Sequence, residues 1–316
     1  MPSITSMKWV DAGFDEAEAI PYFLDLHLNG QDEIDLLNIE SVDEVHLLGK
    51  RLFAQGTIAY QPSLISAPVE KTLRAISLIE QARRERGDDE AEILGIHLEG
   101  PFLSKEMAGV HPLEELISPD RELISRYLIA GTISMVTIAP ELPGAIEMIR
   151  FLVGMGITVS LGHSGCDHEI ARKAFSAGAS SVTHLYNRSS QELVDVALDE
   201  SDASILLIAD GSHVSDQKII YTFERASNRI IATTDSISTR SLGDQEIVIR
   251  DGAAFALDGT KAGSIATMRS LWERIATLID PESATRACAT HPAALIGRPE
   301  LGSLEFGYPA QRAFTT

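Results

Sequence analysis

The sequence predicts an α/β protein with a (β/α)8 TIM-like barrel, and three observations lead to this prediction. Eight short apolar runs alternate with segments of helical periodicity along the 316 residues, as expected for a parallel sheet covered by helices. Polar residues suited to chemistry end four of these runs, where barrel enzymes keep their active sites. The composition, 44% hydrophobic and 23% charged, is that of a globular protein with a large core. A doubly wound open sheet is the alternative fold.

The predicted strands are short apolar runs without alternating polar residues. This pattern is typical of strands that are buried on both faces. They are Tyr22–Leu28, Thr57–Leu64, Glu92–Glu99, Ile133–Ala139, Thr158–His163, Ser181–Tyr186, Ala203–Ala209 and Arg229–Thr234.

The segments between these strands predict helices, because apolar residues recur at spacings of three and four. Several of them end before a glycine, which suits a left-handed C-terminal cap. They are Ser41–Gln55, Pro68–Arg86, Asp120–Ala130, Pro143–Met155, Asp167–Ala177, Gln191–Ser201 and Ser215–Ser227.

After the eighth strand, Glu246–Leu257 predicts a hairpin that turns near Asp251-Gly252. Two further helices are predicted at Ser264–Leu278 and Pro281–Ile296. We find no linker composition between these parts. The sequence therefore predicts one domain over residues 1–316, with the barrel core at about 20–240 and the C-terminal helices at 264–296.

Glu99, His163, His184 and Asp235 end the runs of strands three, five, six and eight. Burying such groups without partners costs several kcal/mol, so they normally pair or bind a metal. One carboxylate and two imidazoles form a three-ligand hydrolytic metal site with open positions. Asp235 would then carry protons, although an aspartate at this place can also cap a turn or helix. The pattern favours a metal-dependent hydrolase.

Further histidines end or follow other strands. His97 lies two residues before Glu99 and shares its face, but a lone buried histidine is more often a satisfied core residue. His27 and Asn29 share a face at the end of strand one, where a His-x-His pair would be half of a second metal site. Asparagine is a poor ligand for zinc-like ions, so we expect this end to hold water or substrate and the site to bind one metal.

Two more residues are candidates for substrate contact. His213 follows Asp210-Gly211 at the end of strand seven and would project over the barrel mouth. Arg188 is a candidate anion binder, with an ordinary surface arginine as the alternative. The net charge of −20 argues against non-specific nucleic-acid binding. It also requires a local positive patch or a metal to attract any anionic substrate.

Other classes of protein are poorly supported. The sequence has no Gly-x-Ser-x-Gly elbow, Walker-type phosphate loop or Gly-x-Gly-x-x-Gly fingerprint. No apolar run approaches the roughly 20 residues of a membrane span, and the N-terminus does not resemble a signal peptide. Cys166 and Cys288 belong to no Cys-x-x-Cys pair. We therefore expect a cytoplasmic protein with reduced thiols.

These segments resemble the N-acetylglucosamine-6-phosphate deacetylase family of the amidohydrolase superfamily. The resemblance covers roughly residues 20 to 310, and its motifs are specific when taken together. They include Asp25-Leu26-His27-Leu28-Asn29-Gly30, His97-Leu98-Glu99-Gly100-Pro101-Phe102, Leu161-Gly162-His163-Ser164, Thr183-His184-Leu185-Tyr186-Asn187, Asp210-Gly211-Ser212-His213, Thr234-Asp235 and His291-Pro292-Ala293-Ala294.

The resemblance implies a barrel with one or two divalent metals, usually zinc or iron. For this chain we expect one ion, with zinc as the preferred metal and iron or manganese as alternatives. It implies Asp235 as the acid/base and His111 and His213 as contacts to the sugar phosphate. It also implies a homodimer whose partner subunit helps to bind phosphate. The implied ligands are Glu99, His163 and His184.

The chain departs from the family pattern in ways that affect substrate binding. The family's small β-sandwich domain must be missing or vestigial, because its N-terminal strands are almost absent. The usual Asn-Ala-Met becomes Asn187-Arg188-Ser189, and a loop that carries a phosphate-binding arginine is shortened to Ser190–Asp195. The C-terminal Gly-Lys-x-Ala-Asp pattern becomes Gly307-Tyr308-Pro309-Ala310.

The resulting hypothesis is metal-dependent deacetylation of N-acetylglucosamine-6-phosphate, giving acetate and glucosamine-6-phosphate. His111, Asn187, Arg188 and His213 would orient the sugar, with Arg188 in place of the missing loop arginine. One alternative is hydrolysis of another N-acyl substrate, such as an unphosphorylated amino sugar or an N-acyl amino acid. The other is a non-catalytic relative that binds a sugar.

Overall fold

The computed structural model describes residues 19–250, 252–303 and 310–312. In chain order its strands are β1 (Ala19–Pro21), β2 (Phe23–Leu28), β3 (Gly30–Gln31), β4 (Ile34–Asp35), β5 (Thr57–Ile65), β6 (Glu92–Ile93), β7 (Ile96–Glu99), β8 (Ile133–Ile138), β9 (Thr158–Leu161), β10 (Ser181–Val182), β11 (Ser204–Leu207), β12 (Ile230–Ala232), β13 (Ser241–Leu242), β14 (Gln245–Arg250), β15 (Ala253–Ala256), β16 (Lys261–Gly263) and β17 (Ala310–Arg312). The helices are α1 (Val42–Ala54), α2 (Val69–Glu85), α3 (Arg121–Ala130), α4 (Ala145–Gly154), α5 (His168–Ser176), α6 (Gln191–Asp199), α7 (Asp216–Ala226), α8 (Met268–Leu278), α9 (Pro281–Thr285) and α10 (His291–Leu295).

The central sheet is a parallel barrel in the order β2-β5-β7-β8-β9-β10-β11-β12. Each of these eight strands pairs in parallel with the next strand in this order. The first and last strands meet just beyond β12, where Asp235 N donates to His27 O at 2.9 Å and Asn29 N donates to Ser236 O at 2.7 Å. The predicted (β/α)8 barrel is therefore confirmed.

The helices start where short polar side chains accept hydrogen bonds from the first turn. Asp120 accepts from Glu122 N and Leu123 N before α3, and Asp167 accepts from Ile170 N before α5. Ser190 and Ser215 cap α6 and α7 in the same way. Each such cap stabilises its helix by about 1 kcal/mol, and these caps fix the helix starts that the sequence predicts.

The interior of the barrel is packed rather than open. Leu26, Met135, Leu206 and Ile231, from four barrel strands, are fully buried against one another. Leu94, which lies just before β7, packs on this cluster, so the cluster closes the amino end of the barrel. Burying each of these side chains contributes about 1.5–3 kcal/mol, and it leaves the carboxyl end as the open end.

Outside the barrel, the described residues form only small sheets. β13 to β16 make a four-stranded antiparallel sheet, β3 pairs with β4, and β1 pairs with β17. These sheets are the part of a second, smaller domain that the described residues contain, in line with the prediction of a vestigial one. Residues 1–18 of the predicted domain, and Asp251 of the predicted hairpin turn, lie outside the described residues.

Five predicted strands end earlier than expected: those predicted to reach Ala139 and Ala209 end at Ile138 and Leu207, and the other three end before residues of positive φ. The strands predicted to reach His163, Tyr186 and Thr234 end at Leu161, Val182 and Ala232. The chain leaves the extended conformation there because His163, His184 and Asp235 have positive φ angles of 47°, 29° and 45°.

Two other predicted elements are interrupted. The third strand breaks at Gly95, whose φ is 123° and where a Cβ atom would lie 2.6 Å from Ser134 Oγ. The last predicted helix is divided by a π-turn at Arg286–Thr290. Pro292 lacks an N–H, and its ring would clash with the carbonyl four residues earlier, so the helix widens there. None of the described helices combines the length and apolar character of a membrane span.

Candidate active site

A cavity of about 290 Å³ opens at the carboxyl end of the barrel. This is near the lower end of the roughly 300–1,000 Å³ that is usual for small-molecule sites. Polar and apolar side chains both line it, and the sequence-predicted residues other than His27 all reach it. Those predicted residues are Asn29, Glu99, His111, His163, His184, Asn187, Arg188, His213 and Asp235.

Glu99, His163 and His184 converge at the floor of the cavity. Glu99 Oε1 lies 2.9 Å from His184 Nε2 and 3.2 Å from His163 Nε2, and the two Nε2 atoms are 3.2 Å apart. Zinc bonds of 2.0–2.1 Å at tetrahedral angles would hold neighbouring ligand atoms roughly 3.3 Å apart. This triangle of donor atoms therefore has the size that a single divalent ion requires.

The backbone around His163 and His111 gives the two rings opposite tautomers. His163 Nδ1 lies 2.8 Å from Met107 O, which can only accept, so Nδ1 carries the proton and Nε2 keeps its lone pair. His111 Nδ1 accepts from Ser66 N at 3.2 Å, so the neutral ring carries its proton on Nε2. His163 Nε2 thus keeps a free lone pair, and His111 Nε2 can donate a hydrogen bond.

The other oxygen of Glu99 faces a second group of residues. His27 Nε2 lies 3.3 Å from Glu99 Oε2 and 3.3 Å from Asp235 Oδ1. Neither ring nitrogen of His27 has a well-aligned hydrogen bond to a described residue. Asn29 Nδ2 donates to Asp235 Oδ1 at 2.8 Å, while Asn29 Oδ1 has no such partner. The end of the first strand therefore holds the aspartate in place and leaves the Asn29 side-chain oxygen free to accept a hydrogen bond.

Burial and neighbouring charges set the ionisation of the cluster. Burial raises the pKa of Glu99, but His27, His111, His163 and His184 together hold it well below its usual range. Burial lowers the pKa of His163 to about 4, with His111 and His184 acting in the same direction. A charged carboxylate beside a neutral imidazole is the protonation state that metal binding requires.

The pair formed by His27 and Asp235 is shifted differently. Burial lowers the pKa of His27, but the Glu99 and Asp235 carboxylates outweigh it and raise this pKa to about 9. Burial raises the pKa of Asp235, and the nearby Glu99 charge adds to that rise. A carboxyl whose pKa is moved towards neutrality is suited to exchange protons.

Backbone strain is concentrated in the cavity. Six described residues other than glycine have positive φ angles, and only Asp32 of the six lies away from the cavity wall. Such conformations cost of order 1 kcal/mol or more and persist where the surrounding structure imposes them. The other five are His163, His184, Tyr186, Arg188 and Asp235.

At the mouth of the cavity, His213 Nδ1 lies 2.8 Å from Asp210 Oδ2, which orients the ring. Lys261, at the start of β16, also lines the mouth. Asn187 Nδ2 donates to His184 O at 3.2 Å and so tightens the turn after the histidine. Arg188 follows in that turn.

Sequence reasoning missed Lys261, Met107 and Ser66. No local pattern separates Lys261 from an exposed hairpin lysine. Met107 acts through its backbone oxygen, which leaves no signal in side-chain identity. Ser66 contacts His111 through both its backbone nitrogen and its hydroxyl, and no local pattern marks this serine. The expectation for His97 as a satisfied core residue agrees with its surroundings, since its ring lies 2.9 Å from Ser63 Oγ and 2.7 Å from Thr137 Oγ1.

Known proteins are similar to nearly the whole chain. A family model described as the amidohydrolase family matches residues 20–314. The N-acetylglucosamine-6-phosphate deacetylase of Homo sapiens is 33% identical over 319 residues, covering 92% of this chain and 77% of the relative.

Two solved structures share the fold closely. One is a variant of N-acetyl-D-glucosamine-6-phosphate deacetylase from Mycobacterium smegmatis in complex with N-acetyl-D-glucosamine-6-phosphate. It has a TM-score of 0.83 and 30% identity and covers 89% of this chain and 78% of that chain. The other is N-acetylglucosamine-6-phosphate deacetylase from Pasteurella multocida, with a TM-score of 0.85, 29% identity and coverage of 92% and 80%.

Proposed function

This chain belongs to the amidohydrolase family, and from that premise we propose that it deacetylates N-acetylglucosamine-6-phosphate. The products are acetate and glucosamine-6-phosphate. One observation carries the proposal: Glu99, His163 and His184 converge within 3.2 Å of one another, beside Asp235 in a single cavity. The relatives' activity is consistent with this set of groups.

A divalent metal fits the residues at the cavity floor. Glu99, His163 and His184 would hold it, and we propose one zinc ion per chain, with iron or manganese as alternatives. Such an ion supplies Lewis-acid chemistry, which acidifies water and polarises an amide carbonyl. The neutral state of His163 and the charged state of Glu99 support this assignment.

Asp235 is the proposed acid/base. Its Oδ1 atom is fixed by Asn29 and lies 3.3 Å from His27 Nε2. Asp235 takes a proton from the attacking water and later delivers it to the leaving nitrogen of the amine. Because the pKa of Asp235 is raised by burial, the protonated form is accessible for the second transfer.

The remaining groups orient the substrate. His111, whose Nε2 carries a proton, donates to the oxygen of the acetamide as negative charge develops on it. His213, Asn187 and Arg188 hold the sugar at the mouth. His27 and Asn29 hold Asp235 and a water, since Asn29 offers a free acceptor oxygen.

Three further properties are proposed with the function. The chain is one domain over residues 1–316, and the family resemblance is the basis for proposing a homodimer. Cytoplasmic location is supported by Cys166 and Cys288, which are both buried and unpaired. Analytical ultracentrifugation tests the oligomeric state.

The decisive experiment measures acetate release from N-acetylglucosamine-6-phosphate and from N-acetylglucosamine by zinc-reconstituted protein, with a chelator control. We expect chelator-sensitive turnover of the phosphorylated sugar. Turnover of neither sugar, with about one metal per chain still bound, would mean that the site serves another N-acyl substrate.

A further inference from the structure

The proposed substrate carries a phosphate, while the chain has a net charge of −20. The overall field therefore opposes its approach, and local cations must compensate. Among the described residues that line the cavity, Arg188 and Lys261 are the two with permanently charged cationic side chains. They come from different elements, the turn after the sixth strand and the start of β16.

Lys261 is held in place by neutral groups. Its Nζ donates to Ser212 O at 2.6 Å and to Ser212 Oγ at 2.9 Å. An ammonium has three donors, so one remains, and no carboxylate of the described residues forms an ion pair with it within 4.0 Å. Ser212 precedes His213, so the lysine is anchored beside a histidine that also lines the cavity.

Arg188 is also available to a ligand. Its backbone is fixed because Ser164 N donates to Arg188 O at 3.0 Å, and its φ is 52°. Its side chain lies over Gly109, where a Cβ atom would be 3.1 Å from Arg188 Nε. The positive charge of Arg188 also reaches the exposed carboxylate of Asp258. Hydrogen bonds from Thr260 lower the pKa of Asp258, and the charge of Arg188 lowers it further.

We propose that Arg188 and Lys261 together form the phosphate subsite of this chain. Resting on the proposed function, this inference places phosphate binding and hydrolysis in the same chain, without an arginine from a partner subunit. The sequence agrees, because no arginine occurs between Arg188 and Arg225, and Arg225 on α7 is paired with Asp199 at the end of α6. A planar guanidinium and an ammonium from two elements of one cavity wall match the several acceptor oxygens of a phosphomonoester.

The kinetic test compares kcat and KM for N-acetylglucosamine-6-phosphate and N-acetylglucosamine in Arg188→Gln, Lys261→Gln and the double variant. Each single change should raise KM for the phosphorylated sugar about 10- to 100-fold and should lower kcat/KM for the unphosphorylated sugar by a clearly smaller factor. Arg150→Gln and Lys173→Gln remove the same charges from exposed positions on α4 and α5 and should change neither value. Equal losses on both sugars, or no loss on either, would overturn the proposal.

A binding measurement tests the phosphate subsite independently of whether the protein deacetylates the sugar. Inorganic phosphate is titrated calorimetrically into the metal-loaded wild-type protein and into the double variant. Affinity that falls at least about tenfold in the double variant supports the subsite, even when wild-type protein releases acetate from neither sugar. Affinity that is unchanged assigns phosphate to other groups and rejects the subsite, even when the enzyme is active.

Discussion

Two neighbouring sets of polar side chains lie inside the barrel, and they differ in how their hydrogen-bonding capacity is used. The hydroxyl chain runs from Ser63 through His97, Thr137 and Thr183 to Ser160, with every link between 2.6 and 2.9 Å. The carboxylate–histidine cluster is formed by Glu99, His27, His163, His184 and Asp235.

In this cluster, both nitrogens of His27 and Nδ1 of His184 have no hydrogen-bond partner among the described residues. The contrast is sharpest between His97 and His27, whose ring centres are 4.7 Å apart. Both are fully buried, yet only His97 has both nitrogens bound. Burial alone therefore does not mark a functional histidine; unmet hydrogen-bonding capacity next to a carboxylate does.

The largest effect is expected from removing the charge of Glu99. One oxygen of this carboxylate faces His163 and His184, and the other faces His27. Glu99→Gln should lower bound metal from about one ion per chain to near zero and reduce turnover to background, because a neutral amide cannot balance the ion's charge. Metal content is measured by plasma mass spectrometry. The exposed Glu147→Gln on α4 is the matched control, and metal retained at full occupancy by Glu99→Gln would contradict the assignment.

The second test separates proton transfer from metal binding. Asp235→Asn should lower kcat by about 10²- to 10⁴-fold while metal content stays unchanged, since only the proton-exchanging group is lost. Steady-state kinetics and metal analysis are run on the same preparation. Activity within a few-fold of wild type would reject the role of Asp235.

A third test concerns Asp35, which is fully hydrogen-bonded like the hydroxyl chain but ionisable like the cluster. It accepts from Leu37 N at 3.0 Å, Ser241 Oγ at 3.0 Å and Gly243 N at 2.8 Å. Burial raises its pKa to about 6. The folded state therefore binds its proton more tightly than the unfolded state, whose value is near 3.9.

The contribution of Asp35 to stability is then fully present below about pH 4 and falls by about 3 kcal/mol as the pH rises through 6. Urea unfolding between pH 4 and 7 should show this decline in wild-type protein and a flatter profile in Asp35→Asn. Parallel profiles for the two proteins would show that the carboxyl has no raised pKa.

The smallest effect is expected in the hydroxyl chain. His97→Leu removes the imidazole partner of the Ser63 hydroxyl and one of the two partners of the Thr137 hydroxyl, which should cost about 1–3 kcal/mol of unfolding free energy. Metal content and kcat should stay within a few-fold of wild type. Thr137→Val breaks the same hydroxyl chain at another residue and should behave in the same way. Loss of metal in His97→Leu or in Thr137→Val would show that the hydroxyl chain and the carboxylate–histidine cluster depend on each other.

The sequence predicted the barrel well because its strands are apolar runs that need no tertiary information to be seen. It also predicted that Glu99, His163, His184 and Asp235 meet, since parallel strands end on one side. It did not predict Lys261 at the cavity mouth, because that depends on how the β13–β16 sheet lies over the barrel. The π-turn before His291 was not predicted, because the pattern that predicts a helix over Pro281–Ile296 does not show where its hydrogen bonds change from one spacing to another.

The closure of the barrel through the active site has a consequence for the newly made chain. Asn29 and Asp235 are 206 residues apart in sequence, and Ser264 N holds Asp235 O at 2.9 Å. Glu99, His163 and His184 all precede Asp235 along the chain, so they are synthesised before it. Joining the two ends means closing a loop of that length, which carries a large entropic cost. Asp235, the proposed acid/base, is thus the last of these four residues to be synthesised, and it joins the site only when the eighth strand closes the barrel.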